Sequence, residues 1–531
     1  MSNIVKECFV TARDGVKLYT VIQLPCEQGT FPTIIIRNPY APDKIDFEAL
    51  ANENTHGYAI VSQHCRGTAK SEGVCIPYLN ERNDGLDLLD WVRQQSFYNG
   101  ELFLLGGSYC SSVHFSYINT NQPDIKAAVL KVQDTERYNI LYRNGFYKTG
   151  LHGKWAVSMY KRNMNIRREF TEETYRTLPL AGITNHIFGE SVYALEEEFM
   201  HPDPKDNFWQ TPLGGSDYSD ALLKCDVPVL LTTGFYDIYT EGIFDMWKKL
   251  PADRRKDCAL IVSPFAHAWD PPKAAEESEV PDFENARVSE ICPDFHYMWF
   301  DHFRKGTDLK FIERGKIKYY TLFENKWHTV EDLNNAPEKI ELFLASDRSL
   351  NKNAGVCCDI TYTYNPYNPA AFKGGLCNNF GGMQIQDAPD SRYDIISFIS
   401  EPFEDDFICE GKGKVRLSVK STAPDTCFYV RLSLIKNGKT LGMRDDITSL
   451  CRLEKDYTPE TERVLDFTFG DHSFKIEKGD ALRLDVSSSC VPYFQVHTNK
   501  KGLLALHDKA DICRNTIVAG KSSLQIFCKK S

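Results

Sequence analysis

Four short, unbroken apolar runs constrain this chain more than any other feature: TIIIR (33–37), YAIVSQ (58–63), ELFLLGG (101–107) and IKAAVLKV (125–132). Continuous runs of this length, rich in β-branched residues, suit strands buried on both faces, as in a parallel sheet. Between the second and third lies NDGLDLLDWVRQQ (83–95), with Leu88, Leu89 and Val92 at helical spacing. Strand–helix–strand alternation predicts an α/β domain. VKLYTVIQL follows the turn signal Asp14-Gly15 and reads as a hairpin strand.

The pattern then breaks. Residues 134–222 are rich in Tyr, Arg, Glu and Met, with helical stretches such as SVYALEEEFM (191–200). It resumes at VPVLLTTG (227–234) and CALIVSP (258–264), so the simplest account is a helical insertion within one sheet domain. Past residue 311 the strands change character. In VRLSVKS (415–421), Val415, Leu417 and Val419 face one way and Arg416, Ser418 and Lys420 the other; IELFLA, CFYVRLSLI and ALRLDVSSS behave similarly. Turn residues such as Asn437-Gly438 and Lys478-Gly479 separate them, which predicts an antiparallel β-sandwich or jelly roll. The expected organisation is a core of residues 1–133 and 223–310, a helical cap over 134–222, and a β domain over 311–531.

Composition narrows the function classes. Apolar residues are 42% and charged residues 25%, the balance of a soluble globular protein. No apolar stretch reaches the roughly 18 residues that a membrane span needs. The N-terminus lacks the basic and apolar regions of a secretory signal, so a cytoplasmic location is the default expectation. The 17 cysteines are scattered without a CxxC pair, as suits buried reduced thiols rather than a disulfide framework. The 13 histidines show no metal-ligand spacing, so no metal is expected. The net charge of −11 comes with no basic run, which argues against nucleic-acid binding.

The chemistry centres on LFLLGGSYCSS. Ser108 directly follows a buried strand, has Gly106 two positions before it, and leads into a helix-like segment. That is the context of a nucleophile elbow, where a sharp strand-to-helix turn exposes a serine hydroxyl and crowds out side chains nearby. Cys110 stands where GxSxG has its second glycine, so the reading rests on context rather than on the strict pattern. A serine hydroxyl needs a base, and the base needs an orienting acid; in α/β-hydrolases these follow in the order Ser, Asp or Glu, His, each at a strand's C-terminal end. Asp237 ends PVLLTTGFYD and His267 ends ALIVSPFAH. Singly, each has a plain alternative: a tightly packed serine, an N-cap of EGIFDMWKKL, a loop histidine. Three suitable residues at three strand ends in the right order are hard to reach by accident.

The chain also resembles the cocaine esterase/X-prolyl dipeptidyl-peptidase (CocE/NonD) hydrolases over nearly its whole length. RNPY (37–40) resembles the family's Arg-x-Pro-Tyr loop. QHCRGTAKSEG (63–73) resembles its Gln-Asp-x-Arg-Gly-x-Gly-x-Ser-x-Gly segment, and GGSYCSS (106–112) its Gly-x-Ser-Tyr-x-Gly elbow. GFYD (234–237) and SPFAH (263–267) resemble its acid and base motifs, and DGLDLLDWVRQQSFYNG, WFDHFRKG and APDTCFYVRL match further landmarks. The resemblance implies an α/β-hydrolase core, a helical cap and a C-terminal jelly roll, with Ser108, Asp237 and His267 as the triad. It also implies an oxyanion hole from the Tyr40 hydroxyl and the Tyr109 backbone N–H, and no cofactor. His64, Ala69 and Ser111 depart from the motifs at positions where the family has Asp, Gly and Gly; His64 is expected in a structural loop beside Arg66 and Glu72.

The expected partner is a small-molecule ester or amide, with a homodimer left open. A carboxylesterase ranks first and an X-Pro dipeptidyl peptidase or amino-acid ester hydrolase second; a non-catalytic carbohydrate-binding protein is the reading from another class. Cap aromatics Tyr138, Tyr142, Phe146, Tyr147, Trp155 and Tyr160 are candidates for a pocket lining, with ordinary packing the expectation for most. Glu136 and the Glu196–Glu198 run are candidates to hold the α-ammonium that a peptidase substrate would carry.

Overall fold

The computed structural model describes residues 3–40, 46–162, 168, 171, 174–271, 282–376, 382–452 and 455–531. Ten strands form the core sheet: β1 (Ile4–Thr11), β2 (Lys17–Leu24), β3 (Phe31–Asn38), β4 (Ala59–His64), β5 (Tyr98–Gly107), β6 (Ile125–Lys131), β7 (Val229–Gly234), β8 (Ala259–Ser263), β9 (Ile317–Thr321) and β10 (Lys326–Val330). Their spatial order is β1-β2-β4-β3-β5-β6-β7-β8-β9-β10. From β4 to β9 every neighbouring pair is parallel, while the β1–β2 hairpin and β10 add antiparallel edges.

The unbroken apolar runs are explained by what covers each face. Ile35, Val61, Leu102, Leu104, Ala128 and Leu130 belong to one buried cluster, which includes Leu88, Leu89, Val113 and Phe115 from the helices Glu81–Arg93 and Tyr109–Ile118. The alternate residues Ile34, Ile60, Phe103, Ala127 and Val129 belong to a second, closed by Tyr297, Trp299 and Phe300 of the helix Phe295–Lys305. Successive strand residues point to opposite faces, so a strand apolar at every position needs both faces covered.

Between β6 and β7 the chain leaves the sheet and forms short helices, including Lys154–Tyr160, Ile183–Phe188 and Tyr193–Glu197, with a small hairpin of Tyr142–Arg143 and Phe146–Tyr147. Arg143 ties this cap to the other units. Its guanidinium pairs with Glu241 of the core and, at 2.8 Å, with Asp446 of the C-terminal β domain. Among the described residues no helix is long and apolar enough to cross a membrane, and none of the described cysteines is in a disulfide.

The β domain is built from strands paired almost entirely antiparallel. Val415, Leu417 and Val419 face its interior, as their alternation requires. Asn437 and Gly438 connect Cys427–Lys436 to Lys439–Ser449 with φ of 50° and 74°, the paired positive φ of a type I′ hairpin turn. Two strands past residue 311 pair outside this domain's own sheet: β9 and β10 extend the core sheet, with Ile317 beside Leu260 and Tyr319 beside Val262. Their alternation resembles the β domain's; long-range pairing with β8 decides which sheet they join.

The departures at 63–73 acquire a physical meaning here. Ala69 is exposed with φ of 47°, a left-handed conformation that glycine adopts without strain and alanine does not. His64 is the last residue of β4 rather than a loop residue; it is buried, its ring edge-on to Tyr19 at 5.1 Å. Burial pulls it down to about 4, so it is neutral near pH 7. Arg66 is held instead by Asp84 at 2.6 Å and Asp14 at 2.7 Å. Replacing Ala69 with glycine should stabilise the protein by about 0.5–1 kcal/mol, because relief of φ strain outweighs the added unfolded-state entropy. Urea denaturation checks this; an unchanged or lower midpoint would contradict it.

Candidate active site

The C-terminal ends of β5, β7 and β8 bring the three candidate side chains together. Ser108 follows β5 with φ of 55° and ψ of −132°, a strained conformation for a residue with a side chain, and caps the helix Tyr109–Ile118. The turn is tight enough that a Cβ on Gly106 would come 2.2 Å from the Cys110 carbonyl oxygen. The Lys131 backbone on β6 anchors it: its carbonyl accepts from the Ser108 N–H at 2.9 Å and from the Ser111 hydroxyl at 3.0 Å, and its N–H donates to Ser111 Oγ at 2.9 Å. Ser111, where a glycine is expected, therefore stitches the elbow to β6 rather than crowding it.

Asp237 and His267 are presented by two loops zipped to each other. Phe235 N–H donates to the Ser263 carbonyl and Tyr236 N–H to the Phe265 carbonyl, both at 2.9 Å. Gly234 allows this approach, since a Cβ there would lie 2.1 Å from the Phe265 carbonyl oxygen. His267 Nε2 then lies 2.8 Å from Ser108 Oγ, and Nδ1 lies 2.9 Å from Asp237 Oδ1. A carboxylate only accepts, so Nδ1 carries the proton and Nε2 is free to accept from the serine. Asp237 is fully buried, and its second oxygen accepts from the Thr233 hydroxyl at 3.0 Å. The Tyr239 ring stands edge-on to His267 at 5.6 Å.

Tyr40 reaches the same point from the end of β3. Its N–H donates to Asn38 Oδ1 at 2.8 Å, turning the chain so that the Tyr40 hydroxyl lies 3.4 Å from Ser108 Oγ. Although part of the Tyr40 side chain is exposed, desolvation of the hydroxyl raises it above the usual tyrosine range, so it keeps its proton at neutral pH. Tyr109 opens the helix, where a backbone N–H has no carbonyl four residues earlier within the helix to bond. Its own side chain is locked: the hydroxyl donates to Glu81 Oε1 at 2.9 Å and accepts from Tyr78 N–H at 2.7 Å. Glu81 is held in turn by the fully buried Arg37, at 3.0 Å.

Of the cap aromatics, Tyr138 and Tyr142 stack on each other, and Tyr142, Tyr147 and Tyr160 are buried in the cap's own core; Phe146 packs near His497 of the β domain. Trp155 differs, because its indole N–H donates to the Tyr40 hydroxyl at 3.0 Å. The candidate carboxylates are all engaged. Glu136 accepts from Asp220 N–H at 3.2 Å, Glu196 from Gly182 N–H at 2.7 Å, and Glu197 lies 3.1 Å from His201. Glu198, almost fully buried, pairs with Arg137 and accepts from Tyr147 at 3.1 Å. Among the described residues no group of three His, Cys, Asp or Glu side chains is arranged to hold a metal ion. The sequence offered no signal for Thr233 or Glu81, whose roles depend on contacts between distant segments. Gly106→Ala should cost about 1–3 kcal/mol or more and lower any serine-dependent activity, because the helix must back away from the elbow; wild-type stability and turnover would contradict this geometry.

Comparison with known proteins identifies the family and the fold. Residues 14–269 match the X-Pro dipeptidyl-peptidase (S15 family) and residues 311–522 match the X-Pro dipeptidyl-peptidase C-terminal non-catalytic domain. The chain is 24% identical to cocaine esterase of Rhodococcus sp. (strain MB1 Bresler), over 96% of this chain and 95% of that protein. Two solved structures share the fold. An aminopeptidase from the marine sediment archaeon Thaumarchaeota archaeon aligns with a TM-score of 0.82 at 19% identity, covering 99% of this chain and 97% of that one. An α-amino acid ester hydrolase aligns with a TM-score of 0.83 at 18% identity, with the same 99% and 97% coverage. With an α/β-hydrolase core and a C-terminal β domain matched in order, the chain belongs to the CocE/NonD, X-Pro dipeptidyl-peptidase (S15)-like family of serine hydrolases.

Proposed function

We propose that this protein hydrolyses small-molecule esters through a Ser108–His267–Asp237 triad. The observation that carries the reading is the unbroken line from Asp237 Oδ1 through the imidazole to Ser108 Oγ, with steps of 2.9 and 2.8 Å. His267 takes the serine proton as Ser108 Oγ attacks the substrate carbonyl carbon. The oxyanion accepts from the Tyr40 hydroxyl and the Tyr109 N–H. His267 then protonates the departing alcohol, and water hydrolyses the acyl-enzyme with the same base. Asp237, buried and held by Thr233, fixes the tautomer and stabilises the imidazolium as it forms.

An ester is favoured over an N-terminal peptide by the state of the cap carboxylates. A peptidase that grips a free α-ammonium needs an unengaged acid, and Glu136, Glu196, Glu197 and Glu198 are each committed to protein donors. The dipeptidyl-peptidase and amino-acid ester hydrolase activities of the family stand as the second reading. The non-catalytic alternative is disfavoured by the intact hydrogen bonds between the three side chains and by the strain kept at Ser108.

A fluorophosphonate probe should label the native protein and not Ser108→Ala. A folded wild-type sample that stays unlabelled would overturn the triad. Tyr40→Phe should lower kcat on p-nitrophenyl acetate by about 10²–10³-fold, with folding preserved; near-normal turnover would remove Tyr40 from the oxyanion site. On substrate class, p-nitrophenyl butyrate should be turned over faster than an X-Pro-p-nitroanilide, and the reverse order would make the peptidase reading the better one.

A further inference from the structure

Trp155 belongs to the cap, yet its side chain meets the side chains of both residues that flank the proposed oxyanion site. Its indole N–H donates to the Tyr40 hydroxyl at 3.0 Å. Its ring stands edge-on to the Tyr109 ring, with centroids 5.2 Å apart and planes at 85°. The Tyr78 ring is 6.1 Å away on the core side, and His152 packs against the indole at 4.9 Å from the cap side. His152 is itself held in the cap interior, its Nε2 3.4 Å from Glu198, which pairs with Arg137. The indole is therefore fixed by aromatic neighbours from two units and has a defined direction for its one donor.

A phenol hydroxyl carries one proton, which lies in the ring plane in either of two orientations, and its oxygen accepts through lone pairs. A donor already seated on that oxygen removes one orientation, because two protons would face each other. The remaining one points the Tyr40 proton toward Ser108, whose Oγ lies 3.4 Å away. That separation exceeds a good O–H···O hydrogen bond and leaves the proton for an oxygen that arrives with the substrate. Donation into the phenol oxygen also strengthens its own O–H as a donor.

From this geometry we propose that Trp155 is a positioning residue for the oxyanion hole: the cap's indole N–H orients the Tyr40 hydroxyl, so the cap supplies part of the transition-state site as well as covering it. The inference rests on the reading of Tyr40 as an oxyanion donor. The Tyr109 N–H is positioned by the core helix and needs no such help.

A double-mutant cycle with p-nitrophenyl acetate tests it, using wild type, Trp155→Phe, Tyr40→Phe and the double variant. Trp155→Phe should lower kcat by about 5- to 30-fold while KM changes less than about threefold, since the lost interaction acts on an oxygen that gains charge in the transition state. In the Tyr40→Phe background the same substitution should change kcat by less than about twofold, because the group it orients is gone. Full multiplication of the two losses, or an unchanged kcat in Trp155→Phe, would overturn the inference while leaving the triad and Tyr40 untouched. Normal turnover by Tyr40→Phe would overturn both the oxyanion reading and this one. To separate hydrogen bonding from packing, 3-benzothienylalanine at position 155 keeps the ring shape and lacks the N–H. It should reproduce the fall in kcat; wild-type kcat with this side chain would overturn the proposal.

Discussion

Ser108 sits in a backbone conformation that is unfavourable for any residue with a Cβ, and the rest of the site depends on the fold holding it there. The strain is tolerated because the turn is bound on several sides. Gly106 leaves room for the helix to start over the strand, and the Lys131 backbone receives both the Ser108 N–H and the Ser111 hydroxyl. The first helical turn then leaves the Tyr109 N–H, next to Ser108, without a partner inside the helix. One constraint thus places both the proposed nucleophile and one proposed oxyanion donor, and β3 need only deliver Tyr40 to the same edge of the sheet.

The second dependence is between units. A parallel sheet presents its strand ends, and the loops leaving them, at one edge. This edge is covered by the cap and abutted by the β domain. Arg143 pairs with a core glutamate and a β-domain aspartate in one buried network, and the Tyr236 hydroxyl, one residue before Asp237, donates to the Gly442 carbonyl at 3.1 Å. Breaking one partner of such a network leaves an uncompensated buried charge, so the three units are energetically coupled. The cap can therefore hold Trp155 against Tyr40 to hydrogen-bonding precision.

Much of this was legible in the sequence because it follows from local chemistry. Strands buried on both faces read as unbroken apolar runs, and an elbow glycine, a serine and two polar residues at strand ends keep their order along the chain. The hairpin at Asn437-Gly438 was equally readable, since only a few residues adopt two consecutive positive φ angles. What could not be read depends on direction or long-range pairing. Strands Ile317–Thr321 and Lys326–Val330 carry a pattern either sheet could accept, and their partner Leu260 lies nearly sixty residues away. In the sequence Glu198 is indistinguishable from Glu196 and Glu197, yet its neighbours in space bury it on Arg137. Trp155 looked like any helix aromatic, because spacing says nothing about where an indole N–H points. Ala69 could be seen as a departure from a motif, but its cost appears only with its φ.

The central claim is that the acyl group of the ester is transferred to Ser108 Oγ as the alcohol leaves, before water completes the reaction. Rapid acid quenching during turnover of p-nitrophenyl acetate, followed by peptide mass mapping, reads this step directly. An acetyl group on the peptide carrying Ser108 and absent after the substrate is exhausted is the predicted result. Sustained turnover with the acetyl group on another side chain, or with no acyl-enzyme formed even in a burst, would contradict the account.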